Sequence, residues 1–325
     1  MIFSFNEHEK FKSTGDIPAE LTRYIIPGGE ASAIANEYLK FLLQEFTSSH
    51  CKVLYSIYVV DKKTSFRVRE EGPLFVMYLA LQHDRHLEIE GLGKVLIKEC
   101  QFNMVYAPMM NLASSHEDGK EYITLALEYD MTILREWAPY FPKLAAFLEK
   151  VEAGQPAILL KSNEWITKEI QDVVYRVMHP PVEVSAPSYQ AYYDLLLRTL
   201  LFHLLNQSIQ QLPASNYTNY EIDGIQAART MIKKNIRYHF VIREISQKVG
   251  MNEFKLKNGF RELFGNGVYE YLRIERMLEA RQLLSDGARN VKEVAALTGY
   301  KSVNSFIKAF KKKFGETPGE YRKRA

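Results

Sequence analysis

The sequence predicts a multi-domain chain: an N-terminal β-sandwich or barrel with a helical extension, then an all-α domain of two helix-turn-helix units joined by a linker helix. Three observations predict it. Apolar and polar residues alternate in short stretches from Ser49 to about Tyr129, the pattern becomes helical after Met131, and one helical motif occurs twice after Ile222. With 325 residues, the chain is too long for one comfortable core and long enough for two domains.

Composition narrows the class. Apolar residues make up 46% and charged residues 25%, which excludes wholesale disorder and fibrous repeats. Runs such as Leu195-Leu196-Leu197 are soon broken by Arg198, His203 and Asn206, far short of the ~18 apolar residues of a membrane span. Met1 to Lys10 carries Glu7 and Glu9 and has no secretory pattern, so the protein is expected in the cytoplasm. Cys51 and Cys100 are too few for a disulfide framework or a four-ligand zinc site and read as buried thiols. The formal charge of +3 hides a division. From Glu221 onward 22 Lys+Arg face 12 Asp+Glu, a net +10, whereas Met1 to Tyr220 holds 20 against 27, a net −7. A basic module joined to an acidic one points to a polyanion-binding end and a sensing or assembly end.

In the first domain, Lys52 to Val60, Leu74 to Leu81, His86 to Glu90, Lys94 to Lys98, Asn103 to Ala107 and Glu121 to Leu127 read as strands. Glu71-Gly72-Pro73, Gly91-Leu92-Gly93 and Glu117-Asp118-Gly119 are the turns between them. Helices are predicted over Pro142 to Val151, over Asn163 to Met178 ending at Pro180-Pro181, and over Tyr189 to Gln210. The last is apolar on more than one side through Tyr193, Leu196, Leu197, Leu200, Leu201, Leu204 and Leu205, suiting either a domain core or a symmetric dimer contact. The first domain is placed at 1–210, a linker at 211–221 around Pro213, and the second domain at 222–325.

The repeat begins with Ile245-Ser246-Gln247-Lys248-Val249-Gly250-Met251, followed by Leu256, Phe260 and Gly265. Its second copy is Val294-Ala295-Ala296-Leu297-Thr298-Gly299-Tyr300, followed by Phe306, Phe310 and Gly315. The offset is 49 residues up to the paired Gly250 and Gly299 and 50 from Leu256 and Phe306 onward, so one extra residue falls in the second turn. A small residue (Ser246, Ala295) lets another helix cross closely. A glycine four positions later supplies the positive φ that ends the first helix. Apolar positions then pin a second helix, completing a helix-turn-helix. Between the copies, Val268 to Leu284 reads as a helix of roughly 25 Å, stopped by Asp286-Gly287, with Leu272, Met277, Ala280, Leu283 and Leu284 inward. After the second copy, Thr317-Pro318 with Glu320 forms a capping box.

The span from about Ile222 to Arg324 resembles the DNA-binding domain of the AraC/XylS family of bacterial transcription regulators. The resemblance rests on Arg276, Ala280, Leu284, Val294-Ala295, Gly299-Tyr300, Ser302, Phe306, Phe310-Lys311-Lys312, Gly315, Thr317-Pro318 and Tyr321-Arg322. Arg276 occupies a helix-packing and salt-bridge position of that family. The form Lys255 to Phe260 is most similar to the subgroup of siderophore-sensing regulators such as the pyochelin regulator. The resemblance implies a cupin-like sensory domain with dimerisation helices, two recognition helices entering successive major-groove segments about 34 Å apart, and no cofactor. Double-stranded DNA, a small-molecule effector, a second copy in a homodimer and RNA polymerase are its implied partners.

The resemblance places base-reading positions at Phe254, Lys257 and Asn258 on the first recognition helix and at Val303, Asn304, Ile307 and Lys308, which helical phase turns outward, on the second. Asn258 and Asn304 suit adenine, Lys308 guanine, and Val303 and Ile307 thymine methyls. Phosphate contacts are expected from Lys301, Ser302, Lys311, Lys312, Arg322, Lys323 and Arg324. Gly259, in mid-helix, costs about 1 kcal/mol relative to alanine and makes the first helix the less rigid reader.

Enzymatic readings have less support. Gly91-Leu92-Gly93-Lys94 is too short for a phosphate-binding loop, and no catalytic motif of the serine-hydrolase or zinc-protease type occurs. His83 to Glu90 places His86, Glu88 and Glu90 on one strand face, but its histidines are three apart rather than the one-residue spacing of a metal-binding cupin, so a hairpin edge is expected. The aromatic residues Tyr55, Tyr58, Tyr78, Phe102 and Tyr106 are candidates for a cavity or a core. The alternatives are a metal-bearing cupin enzyme with a DNA-binding tail and an effector-independent dimeric regulator with a compact first domain.

Overall fold

The computed structural model describes residues 2–5, 9–12, 15–180, 182–209, 217–285 and 289–324. Two compact units emerge, Met1–Leu212 and Pro213–Ala325.

In the first unit the described strands are β1 (Ile2–Phe5), β2 (Glu9–Lys12), β3 (Glu30–Ala35), β4 (Leu39–Thr47), β5 (Cys51–Val60), β6 (Thr64–Glu70) and β7 (Leu74–Gln82). They continue with β8 (Arg85–Ile89), β9 (Gly93–Ile97), β10 (Gln101–Ala107), β11 (Met110–His116), β12 (Glu121–Tyr129), β13 (Ala157–Ile158) and β14 (Glu164–Trp165). One sheet runs β2-β1-β6-β11-β8-β9 and the other β13-β10-β7-β12-β5-β4-β3, with β14 also pairing β10. All the pairings are antiparallel. The inner faces of both sheets share one core, including Phe41, Tyr58, Phe66, Val76, Leu87 and Ile97. This is the expected β-sandwich.

The six sequence-derived strands lie within a few residues of β5, β7, β8, β9, β10 and β12. The sheets nevertheless begin well before Ser49, and β1, β2, β3, β4, β6, β11, β13 and β14 were not expected. Strand β4 is buried on both faces, Phe41 and Leu43 in the inter-sheet core, Phe46 in the helix-side core and Leu42 in a third cluster, so it lacks alternation. Strand β11 buries Ser114 and His116, which carry no apolar signal.

Helices α1 (Met131–Trp137), α2 (Pro142–Glu152), α3 (Lys168–Met178) and α4 (Tyr189–Ile209) cover the outer face of the larger sheet. The predicted helix over Asn163 to Met178 is divided: Glu164 and Trp165 pair with Phe102 and Gln101 of β10, and α3 starts only after Thr167. Pairing with an available sheet edge outweighs the apolar periodicity there. Of its expected stop, Pro180-Pro181, the second proline lies outside the described residues. All seven apolar residues singled out on α4 are buried in the core with α2 and α3. The Tyr129 hydroxyl donates to the Leu197 carbonyl at 2.9 Å.

The second unit contains α5 (Asn219–Lys234), α6 (Ile242–Lys248), α7 (Glu253–Phe264), α8 (Val268–Ser285), α9 (Val291–Leu297), α10 (Val303–Phe314) and α11 (Pro318–Arg324). Thr218 and Glu221 form a capping box at the start of α5, so the last residues of the expected linker are helical. Most of the remaining linker, and the Asp286-Gly287 stop, lie outside the described residues.

Both repeat turns close alike. Gly250 and Gly299 adopt φ of +66° and +81°. Met251 N–H donates to the Ser246 carbonyl and Tyr300 N–H to the Ala295 carbonyl, each at 2.9 Å. Gly265 and Gly315 end α7 and α10 in the left-handed conformation. A Cβ at Gly299 would lie 2.9 Å from both Arg237 Cα and the Arg276 guanidinium, whereas one at Gly315 would meet nothing within 4 Å. Gly299→Ala is therefore expected to lower unfolding stability by about 2–5 kcal/mol and Gly315→Ala by only about 1–2 kcal/mol. Denaturant titrations followed by helical circular dichroism check this, and equal losses would contradict the close approach at Gly299.

Candidate nucleic-acid interface

The two copies are built alike around one aromatic trio. In the first, Phe260 packs against Phe264 and Tyr271 with ring centroids 4.6 and 5.4 Å away. In the second, Phe310 packs against Phe314 and Tyr321 at 4.6 and 5.7 Å. An arginine from the preceding helix covers the trio each time: Arg229 of α5 over Phe264 at 5.2 Å and Arg281 of α8 over Phe314 at 5.3 Å. Helix α8 thus closes the first copy through Tyr271 and opens the second through Arg281.

Arg276 of α8 joins the halves. Buried to 8% exposure, its Nε donates to the Ile236 carbonyl at 2.7 Å, and its Nη2 reaches the Arg237 and Tyr238 carbonyls at 3.4 and 3.3 Å. The same guanidinium lies 5.8 Å from the Tyr300 ring, in the second turn. Arg237 in turn donates to the Leu297 carbonyl at the end of α9, at 2.7 Å. Among the described residues Arg276 has backbone carbonyls rather than a carboxylate as hydrogen-bond partners, because the loop after α5 presents its peptide groups there.

Gly259 also acts differently from expectation. A Cβ there would lie 2.3 Å from Ile225 Cδ1 and 3.0 Å from the Tyr217 ring, so this glycine lets α5 pack closely on the reading helix. Lys255 and Glu221 form an ion pair at 2.5 Å that further ties α7 to α5. Helix α7 is clamped by its neighbours rather than loosened by its glycine.

On α7, Phe254 is 76% exposed, Lys257 is exposed and bonded to Glu253 at 3.2 Å, and Asn258 is half-buried. On α10, Asn304 and Lys308 are exposed one turn apart on the same side. Val303 and Ile307 are half-buried, packed against the second core. They also line a groove with Asn290, Thr317 and Arg322. The fully outward orientation expected of Val303 and Ile307 is corrected, because the second core claims one side of each. Lys301, Ser302, Lys311, Lys312, Arg322 and Lys323 are all exposed. Ser302 sits at the N-cap of α10 with no side-chain cap bond. The side chain of Arg324 lies outside the described residues.

In the first unit, His86, Glu88 and Glu90 point outward and are exposed. Among the described residues no three potential metal ligands come together. Alternation along β8 sends Arg85, Leu87 and Ile89 inward, where they line a cavity between the sheets that opens to solvent. Tyr58 and Tyr78 line it too, whereas Phe102 and Tyr106 belong to the helix-side core and Tyr55 is partly buried. Burial and the adjacent Arg85 push the His116 imidazole well below its usual range, holding it neutral. Arg85 was not singled out, although the outward reading of His86, Glu88 and Glu90 already required it to face inward.

Two glycine-turned helix pairs, each ending in a partly exposed helix, α7 and α10, have the form of a helix-turn-helix DNA-binding domain. Residues 245–324 match a family described as a helix-turn-helix domain, of the AraC/XylS type. The chain is 28% identical over 205 residues to the lactose operon transcription activator of Staphylococcus xylosus, covering 61% of this chain and 71% of that one. It is 30% identical over 109 residues to the xylose operon regulatory protein of Escherichia coli K12, covering 34% of this chain and only 28% of the relative. Among solved structures, the DNA-binding domain of AdpA in complex with a target DNA is similar at 23% identity over 31% of this chain and 91% of its own, with a TM-score of 0.30. ToxT from Vibrio cholerae is similar at 11% identity over 84% and 98%, with a TM-score of 0.31. Residues 245–324 thus form an AraC/XylS-type helix-turn-helix domain, and the chain is similar to proteins named as transcription regulators. No helix among the described residues is long and apolar enough to cross a membrane.

Arg276→Met would leave three inter-half carbonyls without their charged donor and is expected to destabilise the second unit by about 2–4 kcal/mol. Urea unfolding measures this, and an unchanged midpoint would show that the arginine does not hold the halves together.

Proposed function

We propose that this chain is an effector-responsive, sequence-specific regulator that lays α7 and α10 into successive major-groove segments of one duplex. The repeat carries this reading, because two equivalent helices held by one rigid spacer present two reading faces at a fixed separation. Asn304 and Lys308 are the central base readers of α10, assisted by the exposed edges of Val303 and Ile307. Phe254, Lys257 and Asn258 serve on α7. Lys301, Ser302, Lys311, Lys312, Arg322 and Lys323 hold phosphates and set the register.

The acidic first unit receives a small-molecule effector in its inter-sheet cavity and pairs with a second copy. Effector binding shifts the arrangement of the basic units on cytoplasmic DNA and their contact with RNA polymerase. The presence of the cavity favours this over an effector-independent role. The likeness to siderophore-sensing regulators concerns a DNA-reading helix, so the effector class must be argued from the cavity.

Lys308→Ala is expected to cost about 1–3 kcal/mol on the correct site and to relax preference at one base pair, while Lys312→Ala weakens binding to all duplexes alike. Fluorescence anisotropy on a selected site and its scrambled counterpart reads both. Equal losses for the two variants on both duplexes would contradict the assigned roles.

A further inference from the structure

Arg85 is 1% exposed, and among the described residues it has no carboxylate partner. Its Nη1 lies 2.5 Å from His116 Nε2 and its Nη2 donates to the Ser114 hydroxyl at 2.9 Å. The guanidinium sits over the Tyr58 and Tyr122 rings at 4.5 and 5.3 Å. These contacts are all neutral. A guanidinium stays charged at any physiological pH, and a buried charge is normally balanced by an opposite one.

The neighbouring groups show the same imbalance. Because a guanidinium only donates, His116 Nε2 must accept, which leaves the proton of the neutral ring on Nδ1. Arg85 Nε and the hydroxyl of Thr64, which faces His116 across the β6–β11 ladder, are buried without hydrogen-bond partners. The Arg85 Nε–H, an obligate donor, and a hydroxyl free to donate therefore stand together without an acceptor. Arg85 and Ser114 line one end of the cavity, which runs between mostly apolar walls toward Glu128, four residues beyond Thr124 on β12, or roughly 13 Å along the strand.

We propose that this cavity binds an organic carboxylate with an apolar tail, its head group accepting from Arg85 and its tail lying along the sandwich toward Glu128. The assignment rests on the effector-cavity reading above and names its chemical class. A carboxylate supplies the missing negative charge and the missing acceptor sites together. A neutral sugar supplies no charge and would leave its hydroxyls against an apolar wall.

Isothermal titration of the full chain with decanoate below its micelle concentration tests the assignment. Decanoate is expected to bind saturably at one per chain, with decan-1-ol and the Arg85→Met variant each weaker by at least about tenfold. Arg85→Met is expected to keep its circular dichroism spectrum. Should that variant not fold, the acid-to-alcohol ratio in the unaltered protein decides. Equal binding of acid and alcohol, undiminished decanoate binding by a folded Arg85→Met, or saturable binding of lactose or xylose with none by straight-chain acids from hexanoate to hexadecanoate would overturn it. Protein that binds its DNA site but no acid would refute the carboxylate assignment alone, whereas failure to bind any DNA site would refute the regulatory reading.

Discussion

The backbone of the second unit turns through positive φ immediately after a seven-residue helix, at Gly250 and again at Gly299. Each turn sets the direction of the helix that follows, and therefore which side chains of that helix meet the core and which meet solvent. At Gly299 the constraint is more than local. Arg237 and Arg276 crowd the turn and bind carbonyls on neighbouring segments, so the path of one half is tied to that of the other. Neither short helix would hold its geometry alone; the turn, the aromatic trio and the covering arginine make each reading helix a fixed part.

The first unit is organised by burial on two levels. The larger sheet packs helices on one face and the smaller sheet on the other, so several of its strands are enclosed on both sides. This arrangement lets α4 bury a wide apolar surface within one domain. It also places Arg85 deep in a medium that stabilises a charge poorly. The sandwich tolerates that arrangement through ring faces and a neutral imidazole, which soften the cost without cancelling the charge.

Much of this was legible in the sequence, and the unread parts share physical causes. Gly250, Gly299, Gly265 and Gly315 could be read because positive φ demands glycine and the repeat supplied an internal control. The alternating strands could be read because each has one wet face. Strand β4 could not, because its two faces are both dry, and β14 could not, because its pairing with β10 depends on a partner distant in sequence. Val303 and Ile307 read as outward from helical phase alone, but the second core extends far enough to cover one side of each. Gly259 read as a weakness because helix propensity ignores what packs on a helix, and Ile225 packs there. Arg85 followed from the alternation already recognised along β8, but a charged residue in a polar hairpin did not suggest a buried one.

The central claim is that two equivalent reading helices engage one duplex together. Hydroxyl-radical and dimethyl-sulfate footprinting of the full chain, on a duplex it selects from random sequence, tests this most directly. The account predicts two protected major-groove segments on one face, about one helical turn apart. A single protected segment, or protection that ignores base order at moderate salt, would contradict it.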